Sequence, residues 1–453
     1  MQDFDSERDD SRDRSTQSVS SPSNQHTQKQ KIPSSRQIKP ENRAGVEQKI
    51  YPFEQHRLVM NKVDPDALYV MEKLRTAGFT AYLVGGSVRD LLLGRKPKDY
   101  DISTSAEPEQ IRKLFRNCIL IGRRFRLAHI RFGTKVLEVS TFRSGDTADD
   151  ALIVRDNVWG SPEEDVTRRD FTINGLFYDP SNQTIIDYVG GYPDIQKKYL
   201  RTIGQPFIRF RQDPVRMLRL LKFQARFGFE VDPHAHVALL ECRSEILKSA
   251  PARILEELLR MLESTSSEPF FRLMTEHGLL QYLLPNLNSF LESDDGEEIY
   301  SYLHEVDTTF HEPPLPPLDR SVLLASLCFP ILQKRIQTQF VDREKIPHLG
   351  EIYTVTHKLL DEVFHSFFHI PRKIRISLGS ILTTQFRLTP LEKKKRGRLR
   401  IPRDPEFAKS LKFLNVRCSL EPGLQQIWDE WQEALELSQK PSARKRRRPA
   451  SHG

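Results

Sequence analysis

Asp99 and Asp101 stand two residues apart in Pro97-Lys98-Asp99-Tyr100-Asp101. On a β-strand, residues i and i+2 point to the same face, so the spacing predicts two carboxylates side by side. Such a pair binds hard cations such as Mg2+ through oxygen. Two such ions roughly 3.5–4 Å apart can activate an attacking oxygen and steady a leaving one. An isolated pair of this kind is more often a solvated acidic turn. What shifts the balance is Leu83-Val84-Gly85-Gly86-Ser87-Val88-Arg89-Asp90, about a dozen residues upstream. There a strand ends in Gly85-Gly86 and a helix starts at once. Glycines let backbone N–H groups approach an anion, the helix N-terminus adds a positive end, and Arg89 in the first turn can reach a phosphate. No GxxxxGK[ST] run occurs, which excludes a Walker A loop. Glu138, in Leu137-Glu138-Val139-Ser140-Thr141-Phe142-Arg143, is the candidate third carboxylate. A charge flanked by apolar residues on a strand is costly unless it is paired or holds a metal; a surface-facing glutamate is the alternative.

A second constellation lies downstream in Gln212-Asp213-Pro214-Val215-Arg216-Met217-Leu218-Arg219. Asp213, Arg216 and Arg219 are spaced to share one helix face. A carboxylate and a guanidinium fork can together read a base edge by directed hydrogen bonds, and a surface salt-bridge ladder is the plainer alternative. Arg123, Arg124 and Arg126 make a cationic cluster suited to triphosphate or RNA backbone. Two basic runs, Lys393 to Arg400 (with Lys394, Lys395 and Arg396) and Arg444 to Arg448 (with Arg446 and Arg447), are either solvated surface or phosphate contacts.

The elements that position these residues follow from periodicity. Asp64 to Ala77 is helical, with Leu68, Met71 and Leu74 on one face and Gly78 as the stop. Ala81 to Val84 reads as a strand, Ser87 to Leu93 as a short helix, Tyr100 to Ile102 as a strand edge, and Pro108 to Arg116 as a helix with proline in its first turn. Ile119 to Ile121, Ala128 to Phe132 and Val136 to Thr141 are β-rich. Beyond Pro193 the pattern turns helical: Pro214 to Phe227, His234 to Leu247, Ala252 to Leu262. Phe364 to Phe386 mixes aromatic and basic residues that could form an RNA-binding surface; its phenylalanines are read as core instead, and Trp428 and Trp431 as packing residues of a last helix. Pro313 to Pro317 reads as a linker.

The chain has 453 residues, 69 Lys+Arg against 61 Asp+Glu and a net charge of +8, so an anionic partner is compatible with it. No run of about 18 apolar residues exists, which excludes a membrane-spanning helix. Residues 1–50 are rich in Ser, Gln, Asp and Arg with no apolar block, so they are expected to be disordered and to carry no export or import signal. Four widely separated cysteines, Cys118, Cys242, Cys328 and Cys418, argue against a CxxC zinc site or a disulfide framework, and a cytoplasmic location is expected.

The order LVGG-x-VRD, D-x-D, E-x-x-TFR and Arg168-Arg169-Asp170-Phe171-Thr172-Ile173-Asn174 resembles the class II nucleotidyltransferases over roughly residues 65–285. That superfamily has two branches, bacterial poly(A) polymerases and CCA-adding tRNA nucleotidyltransferases. Leu120 to His129 and Pro251-Ala252-Arg253-Ile254-Leu255-Glu256-Glu257 resemble the polymerase branch. The resemblance implies an α+β fold: a small mixed β-sheet head (51–190), an all-helical neck that recognises the base (191–285), an RNA-binding helical body (286–440) and a basic disordered tail (441–453). It implies Asp99 and Asp101 as catalytic metal ligands, Glu138 as a further ligand and Asp170 as a further active-site carboxylate. Gly85, Gly86, Arg89 and Arg169 would hold the triphosphate, and Asp213, Arg216 and Arg219 the base. Gln212 replaces the acid usual in that motif. Two Mg2+ ions, ATP as substrate and template-independent addition of AMP to RNA 3′ ends are the implied chemistry. The implied setting is mRNA polyadenylation and RNA turnover by a monomer, with the RNA-degradation machinery as a candidate partner and no membrane. CCA addition to tRNA is the nearest rival, and a catalytically silent RNA-binding protein on this scaffold is the rival of another class. No His-Asp dipeptide supports an attached phosphohydrolase domain.

Overall fold

The computed structural model describes residues 47–122, 127–144, 158–309, 317–392 and 399–439. Expectations for residues 1–46, for Arg123, Arg124 and Arg126, for Lys393–Arg398 (hence Lys394, Lys395 and Arg396), for most of the Pro313–Pro317 linker, and for the tail with Arg446 and Arg447 lie outside the described residues.

Among the described residues eight strands make the head sheet: β1 (Lys49–Tyr51), β2 (Ala81–Val84), β3 (Asp101–Thr104), β4 (Cys118–Ile121), β5 (Leu127–Phe132), β6 (Lys135–Thr141), β7 (Leu176–Asp179) and β8 (Thr184–Asp187). Their spatial order is β1-β8-β7-β2-β3-β6-β5-β4, with β3 and β6 parallel and every other pair antiparallel. One row of register partners crosses the whole sheet: Leu120, Ala128, Val139, Ile102, Leu83, Tyr178, Ile185 and Tyr51. Most of that row is buried in the main core, where helix α1 (Pro65–Thr76) packs with Ala67, Val70, Met71 and Leu74. Asp64 caps α1 by accepting from the Asp66 and Ala67 N–H groups, and Gly78 at φ +88° ends it. The neighbouring row is Ile119, His129, Glu138, Asp101, Val84, Phe177, Ile186 and Ile50. By the two-residue period of strands it faces the opposite way, and it carries the chemistry.

Three sheet strands, β1, β7 and β8, were not among the elements read from the sequence. They are short, and β7 is a run of large residues (Leu-Phe-Tyr-Asp) whose neighbours on both faces are buried, so no alternation betrays it. Asp187 ends β8 by accepting from the backbone N–H groups of Val189, Gly190, Gly191 and Tyr192.

Helices dominate after β8. Helix α2 (Gly86–Leu92) follows β2, α3 (Pro108–Leu114) follows β3, and α4 (Pro162–Thr167) precedes β7. Helices α5 (Pro206–Gln212), α6 (Val215–Phe227) and α7 (Pro251–Leu262) follow the head sheet in sequence. The single helix expected over His234–Leu247 is two, Pro233–Cys242 and a tighter turn Arg243–Lys248. Farther on, Phe364, Phe368 and Phe386 are buried, as a core assignment requires, and Trp431 packs on Phe407 with ring centroids 5.6 Å apart. The four cysteines are free. Among the described residues no helix is long and apolar enough to cross a membrane.

Candidate active site

Gly85 leaves β2 with φ +68° and ψ −129°, a backbone region that side chains other than glycine rarely enter. This conformation lets the chain turn from strand into α2 without an intervening loop. A Cβ on Gly85 would come within 3.1 Å of Arg169 Nη1, and one on Gly86 within 3.4 Å of Arg89 Nη2. The turn therefore has guanidinium groups against it from two directions.

Arg169 lies just beyond the C-terminus of α4. Its Nε and Nη2 donate to Asp165 Oδ2 at 3.2 and 2.8 Å, and Nη2 also reaches Ser103 Oγ at 3.3 Å. Asp165 is buried, yet Arg169 and Arg168 hold its carboxyl below the usual range against the opposing effect of burial. Arg169 Nη1 donates to no described residue and stands beside Gly85.

Asp101 is the first residue of β3; Asp99 precedes the strand and is exposed, so the same-face pairing expected from the i, i+2 spacing does not come from strand geometry. Glu138 on β6 is the register partner of Asp101. Burial first, then the negative charges of Glu138 and Asp99, push the Asp101 carboxyl up to about 6, with Arg169 opposing them. No described group donates a hydrogen bond to the side chain of Asp99 or Asp101. Glu138 meets His129 Nε2 of β5 at 3.5 Å. Among the described residues no three His, Cys, Asp or Glu side chains converge into a ready-made metal cage. The donor set nevertheless fits a hard cation. Two all-oxygen side chains repel each other across adjacent strands, and a bound cation removes that penalty.

Arg89 and Asp170 belong to a different layer. Arg89 is 4% exposed. Its Nε and Nη2 donate to Asp90 Oδ1 at 2.9 and 2.7 Å, and Nη1 donates to Asn174 Oδ1. Its guanidinium also lies 5.0 and 4.9 Å from the ring centroids of Phe223 and Phe227 on α6. Asn174 in turn donates to Asp170 Oδ1 at 2.9 Å, and Arg219 on α6 meets Asp170 Oδ2 at 3.0 Å. Arg226, two turns along α6, pairs with Asp90 at 3.2 Å. Burial acts to raise the Asp170 carboxyl, but Arg219, Asn174 and the Phe171 N–H hold it below its usual range. The chain Arg226–Asp90–Arg89–Asn174–Asp170–Arg219 ties α6 to the head directly beneath the Gly85–Gly86 turn.

Asp213 is not on α6 with Arg216 and Arg219. It ends α5 with an extended backbone, and α6 starts at Val215 after Pro214. The ladder read from the spacing is therefore broken by the proline, and the partners differ. Arg253 on α7 holds Asp213 with two bonds, 3.1 and 3.0 Å. Arg216 is buried and donates to the carbonyls of Arg209 and Arg168 at 3.1 and 3.2 Å. Arg209 donates to the carbonyl of Arg169 at 2.7 Å and to Gln212 Oε1 at 3.2 Å. This segment is thus tied to the backbone on either side of the site's arginine.

Arg253, Asn174, Asp165, Arg209 and His129 were not singled out by role in the sequence. Asp165 could have been: it stands four residues before Arg169 in an acidic helical start. Arg253 and His129 meet their partners only across separate elements, and Asn174 and Arg209 each combine a local partner (Asp170, Gln212) with a distant one (Arg89, the Arg169 carbonyl).

Residues 81–201 match the family described as "Poly A polymerase head domain", and residues 228–291 match "Probable RNA and SrmB- binding site of polymerase A". The chain is 36% identical to Poly(A) polymerase I of Escherichia coli O6:H1 over 88% of this chain and 91% of that one. A CC-adding tRNA nucleotidyltransferase of Halalkalibacterium halodurans is also 36% identical, but over 49% of this chain and 55% of its own. Among solved structures, the Bacillus stearothermophilus CCA-adding enzyme in complex with CTP is similar with a TM-score of 0.59 and 26% identity, covering 83% of each chain. The full-length likeness runs to the polymerases, whereas the CCA-branch sequence likeness stops at about half the chain; the protein belongs to the bacterial poly(A) polymerase I family of class II nucleotidyltransferases.

Proposed function

We propose that the protein adds AMP from ATP to RNA 3′ ends without a template, in mRNA polyadenylation and RNA turnover in the cytoplasm. The observation that carries this reading is the placement of Asp101 and Glu138 as register partners beside the Gly85–Gly86 turn and Arg169. Residues 51–190 act as the catalytic head, 191–285 as the neck that selects the base, and 286–440 as the body.

The chemistry that two Mg2+ ions supply, when held by Asp99, Asp101 and Glu138, is activation of the RNA 3′-hydroxyl and neutralisation of the triphosphate. Every other contribution comes from side chains and backbone already in place. The first turn of α2, from Gly86 on, presents N–H groups to phosphate oxygens, and Arg169 Nη1 adds a donor there. Asp165 and Ser103 fix the Arg169 fork before substrate arrives, so little ordering is left for the reaction itself. Arg89, Asp170 and Arg219 are positioning residues: they set α2 and α6 relative to each other. Asp213, oriented by Arg253, and Arg216 read the adenine edge. Phosphoryl transfer needs positioning and charge neutralisation more than covalent help, and this residue set matches that need. Sequence alone supports the RNA-holding role we assign to Arg123, Arg124 and Arg126, to Lys394, Lys395 and Arg396, and to Arg446 and Arg447.

The test is incorporation of labelled AMP into a generic RNA with Mg2+. The parent should extend the RNA, and Asp101→Ala should not, with far-ultraviolet circular dichroism unchanged. Full activity in Asp101→Ala contradicts the assignment.

A further inference from the structure

The row of side chains that carries Asp101 and Glu138 continues past them to His129 and Ile119. Along that row the sheet face changes character. On the β2 and β7 side Val84 and Phe177 are buried under a second apolar cluster with Phe142 and Val166. On the β6, β5 and β4 side Ile119, Ile121 and Val136 are 43%, 44% and 43% exposed. All three belong to the same face, because Ile119 pairs with His129, Ile121 with Leu127 and Val136 with Arg131. Single exposed apolar residues are ordinary; three of them flanking His129 and Arg131 on the face that carries two carboxylates point to a ligand.

We propose that this strip, with His129 and Arg131, seats the 3′-terminal nucleotides of the RNA. The inference rests on the adenylate-transfer reading and adds where the acceptor strand lies. In-line transfer puts the attacking and leaving oxygens on opposite sides of the phosphorus. Gly85 and Arg169 stand on the β2 and β7 side of Asp101, so the leaving pyrophosphate lies there. The attacking hydroxyl then arrives over β6, β5 and β4, where the strip is. Arg131 is exposed beside Val136 and offers a cation to the RNA backbone. The His129 ring, 26% exposed at its side chain and 3.5 Å from Glu138, offers a flat face at the end nearest the carboxylates. Apolar and ring surfaces receive any base by its face without reading its edge. An enzyme that starts on arbitrary RNA ends and then extends its own adenylate product needs such a tolerant seat.

The test uses the full chain, Mg2+, ATP and a 5′-labelled generic RNA oligonucleotide, with KM measured for RNA and for ATP separately. Ile119→Ser combined with Ile121→Ser should raise KM for RNA about tenfold and leave KM for ATP within twofold, with the melting temperature little changed. Ile119→Tyr, which enlarges the stacking surface, should lower KM for RNA. Unchanged KM for RNA in both proteins, or KM for ATP rising in step, overturns the proposal. If the double variant does not fold, Ile119→Tyr and Arg131→Gln decide it: no shift in KM for RNA in either one overturns the proposal. With an active parent, those negative results remove only the acceptor seat; a parent that adds no AMP contradicts the functional reading as well.

Discussion

Asp101 on β3 and Glu138 on β6 are register partners in the parallel pair of the head sheet, and no hydrogen bond from a described residue compensates the Asp101 carboxylate. The repulsion is a cost that the folded protein carries until a cation binds. In metal-free buffer near pH 8, Asp101→Asn should therefore melt slightly above the parent, by about 1–3 °C, while AMP addition is lost. Differential scanning calorimetry in the presence of a chelator checks this, and a clear drop in melting temperature would contradict it.

Asp170 is buried and held by Arg219, Asn174 and the Phe171 N–H, with its carboxyl below the usual 3.8. A depressed carboxylate contributes stability that is present in full above the unfolded value. That contribution disappears as pH falls through the folded one. Arg219→Ala strands the buried charge and should cost about 3 kcal/mol at pH 7. Urea unfolding at pH 7, 5 and 3.5 should show the deficit at the first two values and a smaller one at the last. A deficit that grows on acidification is the opposite result.

Gly85→Ala places a Cβ in a backbone region that costs about 1–3 kcal/mol and against Arg169 Nη1. Steady-state kinetics should show KM for ATP raised about tenfold, with KM for RNA nearly unchanged. Equal increases for both substrates would mean the turn does not serve the triphosphate.

Arg253 pairs with Asp213 on the surface, at 58% side-chain exposure, so the pair adds less than about 1 kcal/mol to stability. Its effect should be on selection instead. In Arg253→Ala, Asp213 loses its orientation, and the ratio of ATP to CTP incorporation should fall about tenfold with the melting temperature unmoved. A preserved ratio would leave Arg253 a surface ion pair and nothing more.

The head's chemistry was legible where it depends on local spacing. Gly85-Gly86 marks the end of β2 because only glycine accepts that turn, and Glu138 stood out as a charge inside an apolar strand. Its position opposite Asp101 needed the β3–β6 pairing, which strand content alone does not give. Spacing misled where a proline intervened: Asp213, Arg216 and Arg219 look like one helix face, yet Pro214 separates the first from the other two. Arg89 looked like a phosphate hand from its place in the first turn of α2. It is instead closed off by Asp90, Asn174 and two rings of α6, partners 85 and more positions away except for Asp90.

The central claim is tested most directly by what the purified protein does to an RNA end. A generic RNA with ATP and Mg2+ should acquire a long A tail, and a tRNA lacking its CCA end should gain adenylates from ATP alone. Addition that needs CTP, acts only on tRNA and stops after three nucleotides would contradict the account and place the protein's activity with the CCA-adding enzymes.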